Sequence, residues 1–239
     1  MRWITLLVAA LVAASAYGQE NEAEKLYRAM EKKIRSAKTV HFAFDGQIIG
    51  KAKATVKGEA WLAEGEKGKL TAEADIAYVG DTNVKMMFIS DGKSQYTKID
   101  EQVNVKATKP EEKNLEKASG VIARVGMMMA FTAGFDALIR GSSPSKEPFD
   151  LDKMAAIRDF KPGAKETIGK HNTQAVDYQV SLGRATAKAT VWIDTETKLP
   201  VKREFVLQEG GTEQGRISET YSTFTVNGEI DPKVFEVPK

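Results

Sequence analysis

The chain has 239 residues, with 35 lysines and arginines against 33 aspartates and glutamates, a net charge of +2. A balance this even, without clustering, gives no field to steer nucleic acid. There is no cysteine, which excludes disulfides, thiolate metal sites and thiol nucleophiles and leaves a hydrophobic core to hold the fold.

Arg2 precedes an apolar run from Ile4 to Ala14, broken by Thr5, and the small-x-small pattern Ala14-Ser15-Ala16 follows, with Ala16-Tyr17-Gly18 as a second choice. This is the pattern of a secretory leader, too short for a membrane span. A leader over 1–18 and a single domain over 19–239 are therefore expected. The mature protein should work outside the cytoplasm, free and soluble, since no cysteine is available for lipidation.

Residues 21 to 37 predict a helix. Ala23, Leu26, Tyr27, Met30 and Ile34 share one face, with Glu24, Lys25, Arg28, Glu31, Lys32 and Arg35 opposite. From Val40 the apolar period becomes two. Runs around Phe42 and Phe44, Thr55 to Leu62, Leu70 to Tyr78, Val84 to Phe88 and Tyr96 to Val105 predict strands, separated by turns at Gly50, Gly65–Gly68, Gly80-Asp81 and Asp91-Gly92. Asn114 to about Arg140 predicts two short helices or one bent one, because Gly120, Gly126 and Gly134 interrupt an apolar stretch. A short helical piece over Leu151 to Phe160 follows. Strands resume at Lys165, Val176–Leu182, Ala187–Asp194, Val201–Gln208, Arg216–Val226 and Val234–Val237, with 194–200 as a hairpin loop. Roughly ten antiparallel strands with helices at the start and middle make one α+β domain that is mainly β.

Enzyme constellations are sparse. His41 lies on the polar phase of its strand and His171 in a turn, with neither a metal-ligand spacing nor a nucleophile elbow beside them. Glu73 and Asp75 share a strand face, but their alternation with apolar residues marks a solvated face more than a pair of catalytic carboxylates. No catalytic residue, metal or cofactor is expected. The unusual feature is methionine: Met86-Met87 and Met127-Met128-Met129 hold five of the eight. Methionine adapts to ligands of varied shape, and the segment from Val121 to Ile139 is apolar nearly all round. It suits either a plug of core or a lid over a ligand, and its glycines, its methionines and the following Gly141–Ser145 favour a movable cover.

Several short motifs occur in a distinctive order: Ile89-Ser90-Asp91-Gly92-Lys93, then Trp192-Ile193-Asp194 with Leu199-Pro200-Val201-Lys202-Arg203, then Tyr221-Ser222-Thr223-Phe224, and finally Asp231-Pro232-Lys233-Val234-Phe235-Glu236-Val237-Pro238. In this order the chain resembles the LolA-like family of periplasmic lipoprotein carriers and outer-membrane lipoprotein-sorting proteins. The resemblance implies an incomplete, strongly curved antiparallel β-barrel whose open mouth is covered by helices, and a periplasmic location. It implies a concave interior for acyl chains without any catalytic residue. It also implies an inward-facing arginine, whose position the motifs do not fix. Sensor relatives of the same fold regulate envelope stress.

The expected lipid-binding set on the strands is Phe42, Phe44, Trp61, Ile76, Tyr78, Met86, Phe88, Tyr178 and Phe205. On the helical insertion it is Met127, Met128, Met129, Phe131 and Phe135. Expected partners are an acylated protein or lipid cargo and envelope membrane proteins that deliver or receive it, with no nucleic acid, and the chain is expected to be a monomer. The competing readings are a secreted carboxylate-dependent hydrolase and an envelope protein-interaction module with a solid core.

Overall fold

The computed structural model describes residues 22–50, 53–77, 81–107, 114–132, 151–182 and 185–238. Helix α1 covers residues 22–35. Six strands follow in a meander: β1 (Thr39–Gly50), β2 (Lys53–Ala63), β3 (Lys67–Ala77), β4 (Asp81–Asp91), β5 (Ser94–Ile99) and β6 (Gln102–Ala107). Helices α2 (Asn114–Thr132) and α3 (Leu151–Met154) come next, and a second meander holds β7 (Ala156–Ile168), β8 (His171–Leu182), β9 (Ala185–Asp194), β10 (Pro200–Glu209) and β11 (Thr212–Val226). A 3-10 helix, Pro232–Phe235, follows. The strands form one antiparallel sheet in the order β6-β5-β4-β3-β2-β1-β11-β10-β9-β8-β7. The first and last strands of the chain's sheet, β1 and β11, therefore meet in its middle, and the sheet stays open instead of closing into a barrel.

Register fixes which side chains share a face. One line of partners runs Ile76, Ala54, Ile48, Ile217, Phe205, Ala189, Tyr178, from β3 through to β8. A second runs Phe88, Leu70, Ala60, Phe42, Phe224, and a third Met86, Ala72, Gly58, Phe44, Tyr221. All three lie on the face that takes the helices, and all but Ile76, Ala54 and Gly58 join α1 and α2 in one apolar cluster. Small residues on these lines give large neighbours room: a Cβ on Gly58 would stand 2.6 Å from the Phe44 ring.

Helix α1 buries Ala23, Tyr27, Met30 and Ile34, the stripe its sequence predicts. The Tyr27 ring lies 4.9 Å from that of Tyr178 and 5.1 Å from that of Phe160, so α1 sits on the β7–β8 side. Among the described residues no helix is long and apolar enough to cross a membrane.

Three elements differ from their sequence expectations. Tyr96 to Val105 is two strands, because Asp100 adopts φ 50 in a tight turn and its carboxylate accepts the Lys85 amide at 2.9 Å. Helix after Leu151 stops at Met154, and β7 begins at Ala156 with register shifts around Pro162. Val234 belongs to a 3-10 helix, not a strand: Asp231 caps its start by accepting the Lys233 amide, and Pro232 suits the first position.

Candidate functional site

The covered face of the sheet and the helix lying in it form the candidate site. Helix α2 is two rods meeting at Gly126, whose φ of 74 and ψ of 178 leave helical space. That conformation favours glycine, and space requires it too, since a Cβ there would lie 2.4 Å from Glu219 Oε2. Beyond the break, Met127, Met128 and Met129 are each at most 1% exposed. Met128 rests on β1 so closely that a Cβ on Gly46 would stand 2.2 Å from its Sδ. The Phe131 ring packs 6.4 Å from that of Phe44.

Two charged side chains stand on the apolar phase beneath the break. Arg203 on β10 and Glu219 on β11 are register partners, and neither is exposed at all. Arg203 donates from Nη2 to the Ala123 carbonyl at 2.7 Å and from Nη1 to the Arg124 carbonyl at 2.9 Å. These carbonyls belong to the C-terminal end of the first rod, where helix partial charge is negative. Tyr27 adds its hydroxyl to the Arg124 carbonyl at 2.6 Å. Glu219 takes the opposite end, accepting the Met127 amide at 3.0 Å and the Met128 amide at 3.2 Å, one on each oxygen. Burial disfavours the charge on Arg203, but Tyr221, Tyr178, Tyr27 and Glu219 around it hold the guanidinium protonated. Burial pushes the Glu219 carboxyl above its usual range, against the pull of Arg203 and the two amides.

Arg124 anchors the first rod. It donates to Glu31 of α1 at 2.6 and 2.9 Å, to Asp152 at 2.7 Å and to the Leu151 and Ala155 carbonyls at 3.1 and 3.0 Å. Burial works against its charge, and the bonds to Glu31 and Asp152 raise its pKa. A buried guanidinium with this many acceptors is well compensated.

Where β1, β2, β3 and β4 end, Ile48, Ala54, Ile76 and Thr82 of the covered face border an open cleft of about 600 Å³ together with residues of the other face, among them Gln47, Ile49, Lys53, Asp75 and Asn83. That volume lies in the range of ligand pockets, roughly 300–1,000 Å³. Ile48, Ala72, Ala74, Val84, Ile76 and Met86 are only partly buried there.

The structure brings together Phe42, Phe44, Ile76, Met86, Phe88, Tyr178 and Phe205 on one face, with Met127, Met128, Met129 and Phe131 against it. Trp61 does not join them. It is the register partner of His41 on the other face, where the two rings stack 5.1 Å apart and Lys69 lies over the indole. Tyr78 and Phe135 lie outside the described residues, as do the leader over 1–18 and the segment 133–150 that completes the expected cover. Glu73 and Asp75 are exposed, also on the other face, and both accept from the Asn83 amide. His41 bonds Glu59 and His171 bonds Asp194, and no group of acidic and histidine side chains suited to a metal occurs among the described residues. Sequence reasoning passed over Arg203 and Glu219, although each interrupts an apolar phase: Val201-Arg203-Phe205 and Ile217-Glu219-Tyr221.

No protein-family model matches the sequence, and no curated protein matches it. Solved structures similar to the chain include MucB, at 9% identity and a TM-score of 0.42, covering 91% of this chain and 63% of that one. The chain thus spans less than two thirds of the length of MucB. A LolA superfamily protein from Nitrosomonas europaea is similar at 8% identity and a TM-score of 0.34, covering 90% of this chain and 97% of that one. A DUF1329 family protein from Desulfovibrio piger is similar at 10% identity and a TM-score of 0.33, covering 91% and 97%.

Proposed function

We propose that the protein is an exported, non-catalytic binding protein of the periplasm that sequesters an acyl chain of a lipid or lipoprotein against the concave face of its sheet. The observation that carries this reading is the apolar register line from Ile76 to Tyr178, which is covered by Tyr27 at its Tyr178 end, passes beside Met128 at β1, and is only half-buried at its Ile76 end, next to an open cleft. An acyl chain needs no directional groups. Each buried methylene contributes about 0.8 kcal/mol, so a long chain gains several kcal/mol against the costs of association and of displacing Met127–Met129. The leader over 1–18 would deliver the protein to the envelope, where membrane proteins would exchange cargo with it.

Two other readings are weaker or narrower. Paired-carboxylate hydrolysis needs two carboxyls facing one substrate, and Glu73 and Asp75 point away from the concavity. The burial of Met127, Met128 and Met129 favours an interaction module with a filled interior, and one titration separates it from the carrier. Delipidated protein mixed with a fluorescent fatty acid should show saturable uptake, displaced by unlabelled long-chain fatty acid. Ile76→Asp, at a half-buried position beside the cleft, should weaken uptake at least about tenfold, a loss of ~1.4 kcal/mol, without unfolding the sheet. Uptake that never saturates leaves the filled module as the answer.

A further inference from the structure

The sheet ends on two unlike edges. Among the described residues β7 pairs only with β8, and β6 only with β5. Edge strands invite pairing with other chains, and proteins blunt them with bulges, proline and charge. β7 carries all three. Its register breaks between Arg158 and Lys161 and again between Pro162 and Lys165, Asp159 stands at φ 60, and Arg158, Asp159 and Lys161 are exposed. β6 is undefended. Its register with β5 is unbroken from Gln102 to Ala107, and it contains no proline. Val103 and Val105 are 55% and 57% exposed, two of the three large hydrophobic side chains that stand exposed among the described residues. We infer that the β6 edge is an interface for a second copy of this chain, which adds its own β6 antiparallel across a two-fold axis at Asn104.

Backbone geometry selects both the occupant and the register. Asp100 and Glu101 form a two-residue turn between β5 and β6, so Ile99 and Gln102 close the hairpin as a hydrogen-bonded pair. Alternation then directs the Asn104 backbone to Thr97 of β5 and leaves the amides and carbonyls of Val103 and Val105 pointing outward. With the axis at Asn104, Val103 meets Val105 of the second copy and Val105 meets its Val103, an exchange of roughly four hydrogen bonds. The same register sets valine beside valine on the face opposite the helices, where Val105 adjoins the half-buried Tyr96. Charge agrees, since Lys106 takes the position opposite Gln102 and the one charge of the strand does not meet its own copy. Moving the axis to Val103 would set Glu101 against Val105 instead. A two-fold contact uses one patch on both copies and closes at two. Six residues a side are fewer than the roughly 20–30 of a standard interface. The dimer should therefore be weak, with a dissociation constant between about 10 μM and about 1 mM, and the monomer expected from the sequence then holds in dilute solution. Acyl binding is not required for it.

Sedimentation of the purified protein from about 1 μM to about 1 mM should show its mass rise from one chain to two. Val105→Pro removes an outward donor and leaves the bonds to β5, a change that an edge strand tolerates, and should keep the protein monomeric throughout. Because the chain has no cysteine, a single introduced one reports the register. Asn104→Cys would face its own copy in a non-hydrogen-bonded pair, where Cα atoms stand about 4.5 Å apart, within reach of a disulfide. Under mild oxidation it should cross-link at least about tenfold faster than Lys165→Cys on β7, and faster than Val103→Cys, which lies diagonal to its copy. The inference is overturned by a monomer mass at every concentration, by growth beyond two chains, or by a dimer that persists in folded Val105→Pro. It is equally overturned if Asn104→Cys reacts no faster than Lys165→Cys, or if Val103→Cys cross-links fastest. Should Val105→Pro unfold, the cysteine variants still decide.

Discussion

Arg203 and Glu219 face each other across β10 and β11 at one register position, yet each serves a different half of a broken helix. The guanidinium meets the carbonyl end of the first rod and the carboxylate meets the amide end of the second, the arrangement that helix partial charges favour. Between them the two side chains close both ends of the break at Gly126, where straight helix would have satisfied those groups internally.

The pair should therefore behave as a unit in stability measurements. Arg203→Met strands Glu219 without its cation and should cost about 3–5 kcal/mol in urea unfolding. The double variant with Glu219→Gln should lose less than the sum of the single losses, by at least about 1 kcal/mol. Losses that add to within about 0.5 kcal/mol would mean that the two side chains act separately.

Gly126→Ala meets both a left-handed φ and a carboxylate oxygen 2.4 Å from the new Cβ. A loss of about 1–3 kcal/mol is expected, read as a lower midpoint in thermal or urea unfolding. A neutral result would mean that α2 runs straight in solution.

Met128 and Gly46 offer a compensation test. Gly46→Ala drives a Cβ into the thioether and should cost about 1 kcal/mol, at the low end for overpacking because a methionine tail can shift. In a Met128→Ala background the same change should cost almost nothing. An equal cost in both backgrounds would place the strain elsewhere.

Acid should loosen the hairpin between β9 and β10. Burial alone would raise the Asp194 carboxyl, but the Thr197 amide and hydroxyl, His171 and the Glu196 amide hold it below the ordinary aspartate value. A depressed carboxyl contributes stability above its unfolded value, about 3.9, and loses it as pH falls through the folded one. Amide protection at 194–199 should fall over that range, and Asp194→Asn should be weakened already at neutral pH. Protection that stays level down to global unfolding would count against the role given to Asp194.

The sheet was legible because period-two apolar phases agree from strand to strand. Phe42, Ile76, Phe88, Tyr178 and Phe205 fall on one face as their alternation requires. Trp61 misled for a physical reason. On β2 the covered face carries Val56, Gly58 and Ala60, since Phe44 and the helices need space, and the largest side chain points the other way. The hairpin at Asp100 was hidden because its left-handed position is an aspartate with no glycine beside it. The site's charges were readable in principle: an arginine or glutamate on an apolar phase is costly to bury unless something pairs with it. What the sequence did not reveal was that their partners are the free backbone groups of a helix broken nearly eighty residues earlier, as the 79-residue separation of Arg203 and Arg124 measures.

Placing β1 beside β11 has a kinetic consequence. Each meander joins neighbours in sequence, but the seam between them includes a bond from Thr39 to Gly228 across 189 positions. Closing so long a loop is entropically late, so the two meanders should form first and the seam last. The concave floor spans that seam, with Gly46 and Phe44 on one bank and Glu219, Ile217 and Tyr221 on the other. Until it closes, each half offers an apolar surface and an unpaired edge strand, which makes this junction the step at which a folding chain is most exposed to aggregation.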